Sequence, residues 1–404
     1  MTAAVLDNMD ILGVAVPEPR ELAAIAAACL GESRVELLSA DAAPLAPVYN
    51  MTTGGLWRVR GTARTSCGGP RGSIGVVPFS VVVKLIQSPL LWSGIGQVPE
   101  PLRSGLLERF PWQTEALVYG SDLPALLPRG GRMPRIYRVA EVDPQRIAIW
   151  MEDVAEAPAA AWTDHRFAGA ARFLGRLAGS RQVRERGPAG SAIRDVQGLK
   201  FYLDGVASAV FIPGIQGAEL WAHPAVAAAA DAQLITGLRG LAERARGLLD
   251  IIAALPTLPA HGDASPQNLL INPDAGPAGS AGDAGFTVID WGMYGFACVG
   301  FDLSQLLAGW VNQGQLHGSE LYRLEPLCLA AYCEGLAESG TPVAEAHVSR
   351  GHAASMALFT GLAAVATQRL AEPDSAELRS LVSGRVEMAR FILELLAATD
   401  KERC

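Results

Sequence analysis

Four polar side chains at fixed spacing could do chemistry in this chain. His261-Gly262-Asp263-Ala264-Ser265-Pro266-Gln267-Asn268 runs into the apolar Leu269-Leu270-Ile271, and further on Val288-Ile289-Asp290-Trp291-Gly292 closes a second apolar run. Read as a hairpin, the segment puts Asp263 and Asn268 on one short loop and Asp290 at the end of the partner strand. Three oxygen-bearing side chains then converge at one end. Phosphoryl transfer from a nucleoside triphosphate needs such a set. One carboxylate orients the acceptor hydroxyl and takes its proton, and Asp suits this because its ordinary pKa of about 3.9 leaves it ionised at neutral pH. An amide oxygen and a second carboxylate can hold Mg²⁺, which accepts few protein oxygens and keeps several waters.

The elements around this hairpin must place it. A helix is expected over 17–30, where Pro and Glu precede Leu22, Ile25, Ala26 and Cys29 at helical spacing. Short β runs follow at 35–38, 56–61 and 74–86, the last containing the β-branched Ser80-Val81-Val82-Val83-Lys84-Leu85-Ile86. Residues 65–73 and 87–101 read as loops, 112–126 as a helix, and 135–142 and 146–151 as strands. After Asp153 helical patterns dominate, over 164–177, 198–209, 226–254 and from about 320 to 399. The Gly/Ala/Asp-rich stretch 273–285 reads as a low-complexity hairpin loop. Two lobes are therefore expected, 1–153 with an N-terminal helical extension and 154–404.

HGDxxxxN before an apolar strand, followed by IDWG, resembles the aminoglycoside phosphotransferase / choline kinase family. The resemblance implies an α+β, bilobal protein-kinase-like fold, with a small antiparallel-sheet N-lobe and a mostly helical C-lobe. It implies that Asp263 is catalytic, that Asn268 and Asp290 hold Mg²⁺, and that His261 and Asp302 support the loop. Lys84 would meet the phosphates of ATP or GTP and pair with a helix glutamate, Glu115. Gly54 and Gly55 would belong to a phosphate-covering hairpin, and Glu152 and Val154 to a hinge whose backbone pairs with the base. Protein kinases usually carry Arg after the loop His and Phe after the metal-binding Asp. This chain has Gly262 and Trp291, and no APE-type segment follows. These departures favour the small-molecule branch. The resemblance spans roughly 45–370 and leaves the 87–108 insertion outside.

The implied acceptor is a hydroxyl of a small molecule such as an aminoglycoside-like antibiotic, an amino sugar or a related metabolite, and antibiotic resistance is one setting for it. Glu320, Glu325, Glu334, Glu338 and Glu345 lie on the C-terminal helices expected to form the acceptor pocket. They read either as a solvated face or as a wall for a cationic acceptor. Phosphorylation of Ser/Thr in a peptide during natural-product maturation, and non-catalytic nucleotide binding, are the alternatives.

Composition narrows the field. The chain has 404 residues, 50% hydrophobic and 18% charged, which permits a sizeable core. Its net charge of -8 argues against nucleic acid or an anionic membrane as partner. No apolar run is expected to span a bilayer. The six cysteines show no CxxC spacing, so a zinc site is not expected and a reducing cytoplasm suits them. His165, His223, His317, His347 and His352 form no ligand motif and read as surface or cap residues. Ser265 lies in no GxSxG elbow, which removes a hydrolase triad.

Overall fold

The computed structural model describes residues 4–45, 50–65, 75–158, 162–187, 194–272 and 285–401. The chain divides into two compact units. The first comprises Met1–Asp122 and Met133–Ala155, and the second Leu123–Arg132 and Glu156–Cys404.

The first unit is built on a six-stranded sheet. Its strands are β1 (Val5–Asp7), β2 (Val35–Pro44), β3 (Thr53–Thr65), β4 (Val76–Gln87), β6 (Ile136–Asp143) and β7 (Arg146–Glu152); β5 (Gly131–Arg132) belongs to the second unit. The order is β1-β2-β3-β4-β7-β6, antiparallel except for the parallel β1–β2 pair. Helix α1 (Pro19–Leu30) starts at a capping box between Glu18 and Glu21 and stops at Gly31 in the left-handed region. Its Leu22, Ile25 and Ala26 join Val81, Val83 and Leu85 of β4 in one core. Alternation along β4 sends Val82, Lys84 and Ile86 to the opposite face, so the unbroken apolar run serves two buried faces.

Several boundaries differ from expectation. Within the first sixteen residues, which show no pattern in sequence, Val5–Asp7 form β1 and Met9–Ala15 a 3₁₀ segment whose Met9, Leu12 and Ala15 are buried. The helix expected over 112–126 is α2 (Thr114–Tyr119), capped by Gly120 bonding back to Ala116, and a separate turn of helix over Leu123–Leu126. The 87–101 loop holds two 3₁₀ turns and leads into a helix, Glu100–Arg109, that buries no side chain. Residues 66–73 of the expected loop, and 273–284 of the low-complexity stretch, lie outside the described residues.

The second unit is mostly helical. Helices α3 (Asp164–Gly179), α4 (Val196–Tyr202), α5 (Ala232–Ala253), α6 (Phe301–Asn312), α7 (Leu321–Glu338), α8 (Glu345–Ser355) and α9 (Ala376–Lys401) carry its core. Helix α4 continues as a π turn over Leu203–Phe211, broken at Gly205. The stretch Val196–Gln216 is long and apolar enough to cross a membrane by length and composition, which the sequence reading missed. It carries the Lys200–Asp204 ion pair and the Gly205 break. Two small sheets interrupt the helices. Strand β10 (Phe286–Val288) lies between β5 and the antiparallel β9 (Leu269–Ile271), and β11 (Gly295–Cys298) pairs with β8 (Thr257–Ala260). A largely antiparallel sheet unit and a mostly helical unit make up the α+β class expected from sequence.

Candidate active site

The loop between β8 and β9 holds Asp263 and Asn268, and β10 delivers Asp290. The register pairs Val288 with Leu269, and the Ile289 N–H donates to the Asn268 carbonyl at 3.0 Å. Asp290 therefore follows directly on the residue bonded to Asn268. The Asn268 Nδ2 donates to the Asp263 backbone carbonyl at 2.8 Å and to its Oδ2 at 3.2 Å. Both amide protons thus point at Asp263, which turns the Asn268 Oδ1 away as a free-standing oxygen donor.

His261 ties this loop together. It is fully buried, and its Nδ1 accepts the Asp263 N–H at 3.3 Å. The ring proton is then on Nε2, which donates to the Ile289 carbonyl at 3.0 Å. Burial holds the imidazole below its ordinary pKa, against the opposing pull of Asp302, and keeps it neutral. One side chain thus fixes the backbone of Asp263 and the residue before Asp290. The Trp291 ring packs edge-on against it at 4.6 Å.

Asp302, in the first turn of α6, accepts the N–H of His261 at 2.8 Å and of Gly262 at 2.9 Å. Only 2% of it is exposed. Burial pushes its carboxyl up, while His261 and the two N–H donors pull it down. Gly262 turns with φ 83°, and a Cβ there would stand 2.1 Å from the Met293 carbonyl oxygen. Asp290 also has positive φ, 58°, shared among described non-glycine residues only with Asn8. Such backbone costs about 1–3 kcal/mol and persists where surrounding bonds impose it.

The first unit places Lys84 Nζ 2.6 Å from Glu115 Oε2, both side chains nearly buried. Gly54 sits at a register shift between β3 and β4. Gly55 lies under the Trp57 ring, where a Cβ would come within 1.9 Å of the indole unless that half-buried ring moved, which gives a packing reason for glycine. At the expected hinge the Glu152 N–H is already donated to Arg135 at 2.8 Å, and its carboxylate takes the Arg135 N–H. The Val154 N–H, like that of Asp153, makes no bond to another backbone among the described residues. Asp153 is anchored by both arms of Arg58, at 2.8 and 2.9 Å, and by the Ser80 hydroxyl.

No group of three or more His, Cys, Asp or Glu side chains among the described residues is arranged to hold a metal. The Asn268–Asp290 set is oxygen-only and small, which fits Mg²⁺ with water and phosphate completing its shell.

The sequence reading missed Arg194, which stands just before α4 and donates its Nε to the Gly262 carbonyl at 3.0 Å. Nothing in its polar neighbourhood marks it. His352, expected at the surface, is fully buried, with Nδ1 3.0 Å from Ser304 Oγ. His317 does cap a turn, accepting from Ser319 N.

The model of the phosphotransferase enzyme family matches residues 123–347, more than half of the chain. No curated protein matches it in sequence. Among solved structures, an aminoglycoside phosphotransferase from Alicyclobacillus acidocaldarius is 14% identical at TM-score 0.46, over 89% of this chain and 97% of that one. An ethanolamine kinase from Plasmodium vivax is 11% identical at TM-score 0.46, over 97% and 89%. A microcompartment-associated aminopropanol kinase is 14% identical at TM-score 0.45, over 89% and 93%. The family match bears out the resemblance read from HGDxxxxN and IDWG; the three structural likenesses add no argument to it.

Proposed function

Since the chain belongs to the phosphotransferase enzyme family, we propose that it moves the γ-phosphoryl group of ATP or GTP to a hydroxyl of a small molecule. The observation that carries this reading is the loop in which His261 and Asp302 hold Asp263 beside Asn268, with Asp290 next in line.

In this reading the Asp263 carboxylate accepts the hydroxyl proton as the acceptor oxygen bonds to the γ-phosphorus. The bond from that phosphorus to the β–γ bridging oxygen breaks, and its electron pair leaves with the nucleoside diphosphate. Asn268, through Oδ1, and Asp290 would hold Mg²⁺, which when bound neutralises phosphate charge. Lys84, kept in place by Glu115, adds a positive charge for the phosphates. His261 and Asp302 touch no substrate and act as positioning residues. At the hinge of Glu152 and Val154, Val154 offers a backbone N–H to the base.

The test is transfer of labelled γ-phosphate by wild type and by Asp263→Asn. Loss of about 10²–10⁴ in kcat with nucleotide binding retained supports the assignment.

A further inference from the structure

Arg194 is placed at the candidate loop with no ion pair among the described residues, although Asp263 and Asp302 act on it through space. Its Nε is committed to the Gly262 carbonyl. Its face lies over the Phe359 ring at 4.3 Å, with Phe301 at 5.7 Å. Tyr202 completes this wall, 5.0 Å from Phe359 ring to ring and donating its hydroxyl to the Phe359 carbonyl at 3.1 Å. Neither Nη group has a hydrogen-bond partner among the described residues, and no described carboxylate lies within ion-pair distance. Loss of water around the head pulls the guanidinium below its ordinary range, with Asp263 among the charges that oppose the fall. A stacked guanidinium with two open Nη groups is the fork that binds carboxylate or phosphate through two bonds. With the Asp263 and Asp302 charges near but not paired to it, the desolvated head keeps a cost that a bound anion would offset.

Three of the five acids that could have suited a cationic acceptor are engaged elsewhere, and Glu345 stays exposed. Glu338 pairs with Arg172 and Arg176, Glu334 with Arg172, and Glu320 with Arg323. Burial and the neighbouring Glu345 push the Glu325 carboxyl up, toward the uncharged form.

We propose that Arg194 binds an anionic group of the acceptor, so that the acceptor is a hydroxy compound bearing a carboxylate or phosphate rather than a polyamine such as an aminoglycoside. The proposal rests on the phosphotransfer reading and names its substrate class. The acceptor anion docks on the open Nη groups while its hydroxyl meets Asp263.

The experiment uses the full chain, ATP and Mg²⁺, with two charge series on fixed skeletons. These are glycerate, glycerol and serinol, and glucuronate, glucose and glucosamine. The anionic member is expected to have the highest kcat/KM in at least one series. Arg194→Gln should lower the anionic-to-neutral ratio of kcat/KM roughly tenfold or more, and Arg194→Lys, which keeps charge but loses the fork, should fall between. Because the readout is a ratio, a general loss of activity in the variant does not mimic it. A cationic member ranking first overturns the proposal, and so does an unchanged ratio in Arg194→Gln. Equal slowing of all acceptors and of basal ATP hydrolysis also overturns it, by placing Arg194 on the transferring phosphoryl group. If no compound is phosphorylated, calorimetric titration of the six into protein holding Mg²⁺ and a non-hydrolysable ATP analogue decides. Anion-selective binding lost in Arg194→Gln supports the proposal, and its absence refutes it. Failure to bind the nucleotide analogue is the separate result that sinks the phosphotransfer reading, and this proposal with it.

Discussion

Asp302→Asn isolates what holds the candidate loop in shape. The Asp302 carboxylate accepts two backbone N–H bonds, from His261 at 2.8 Å and Gly262 at 2.9 Å. An amide has one oxygen, so asparagine keeps one bond and turns an NH₂ toward the other donor. A hydrogen bond to a charged acceptor contributes roughly 1.5–3 kcal/mol. Relief of the burial cost that pushes this carboxyl up returns part of that, which places the expected loss toward the lower figure. Asp302→Ala forfeits both bonds and should cost about twice as much. Amide hydrogen exchange followed by mass spectrometry on the peptide carrying His261 and Gly262 reads this directly. A loss of 1.5–3 kcal/mol corresponds to exchange faster by roughly 10- to 150-fold at those amides. Turnover should fall about 10²-fold as Asp263 drifts. Wild-type exchange at these amides in Asp302→Asn, with full turnover, would refute the bracing argument.

Three further outcomes follow from the same geometry. His352 is fully buried, and burial lowers its pKa from 6.5 to about 4. Between those values the unfolded chain binds a proton that the folded chain refuses, so stability falls as pH drops from 6.5 toward 4. The total is roughly 3 kcal/mol, and urea unfolding should show wild type losing about that much more stability across the window than His352→Gln. Lys84→Met and Glu115→Gln should each destabilise the first unit by about 3–5 kcal/mol by stranding a buried charge, and the double variant by less than their sum, as a thermal double-mutant cycle can measure. Gly262→Ala puts a Cβ 2.1 Å from the Met293 carbonyl in a left-handed turn. It should abolish turnover and lower the melting temperature, whereas Gly96→Ala, with open space around it, should melt as wild type.

What was legible in the sequence was local. Asp263, Asn268 and Asp290 sit on one hairpin, so their nearness along the backbone follows from strand pairing that the flanking apolar runs announce. Lys84 was legible because a charge in a β-branched strand stands out. Arg194 was not, since only the fold brings a polar segment ahead of α4 to Gly262. The short α2 was overread because apolar residues continue past Gly120, where the chain leaves the helix. The 3₁₀ segment Met9–Ala15 has no helical period to detect. Gly55 suggested phosphate approach, and the Trp57 ring supplies a packing reason for the same residue. His352 illustrates the limit of motif reading, because burial depends on α8 packing rather than on neighbours in sequence.

The central claim is that Asp263 is the base of a Mg²⁺-dependent phosphoryl transfer. The most direct measurement follows labelled γ-phosphate from ATP or GTP into the two charge series and a set of hydroxylated antibiotics, with wild type and Asp263→Asn side by side and nucleotide binding read in the same samples. The account predicts label on a hydroxyl acceptor, lost by about 10²–10⁴ in Asp263→Asn while nucleotide still binds. Equal transfer by the two proteins, or no nucleotide binding by wild type with Mg²⁺, would contradict it.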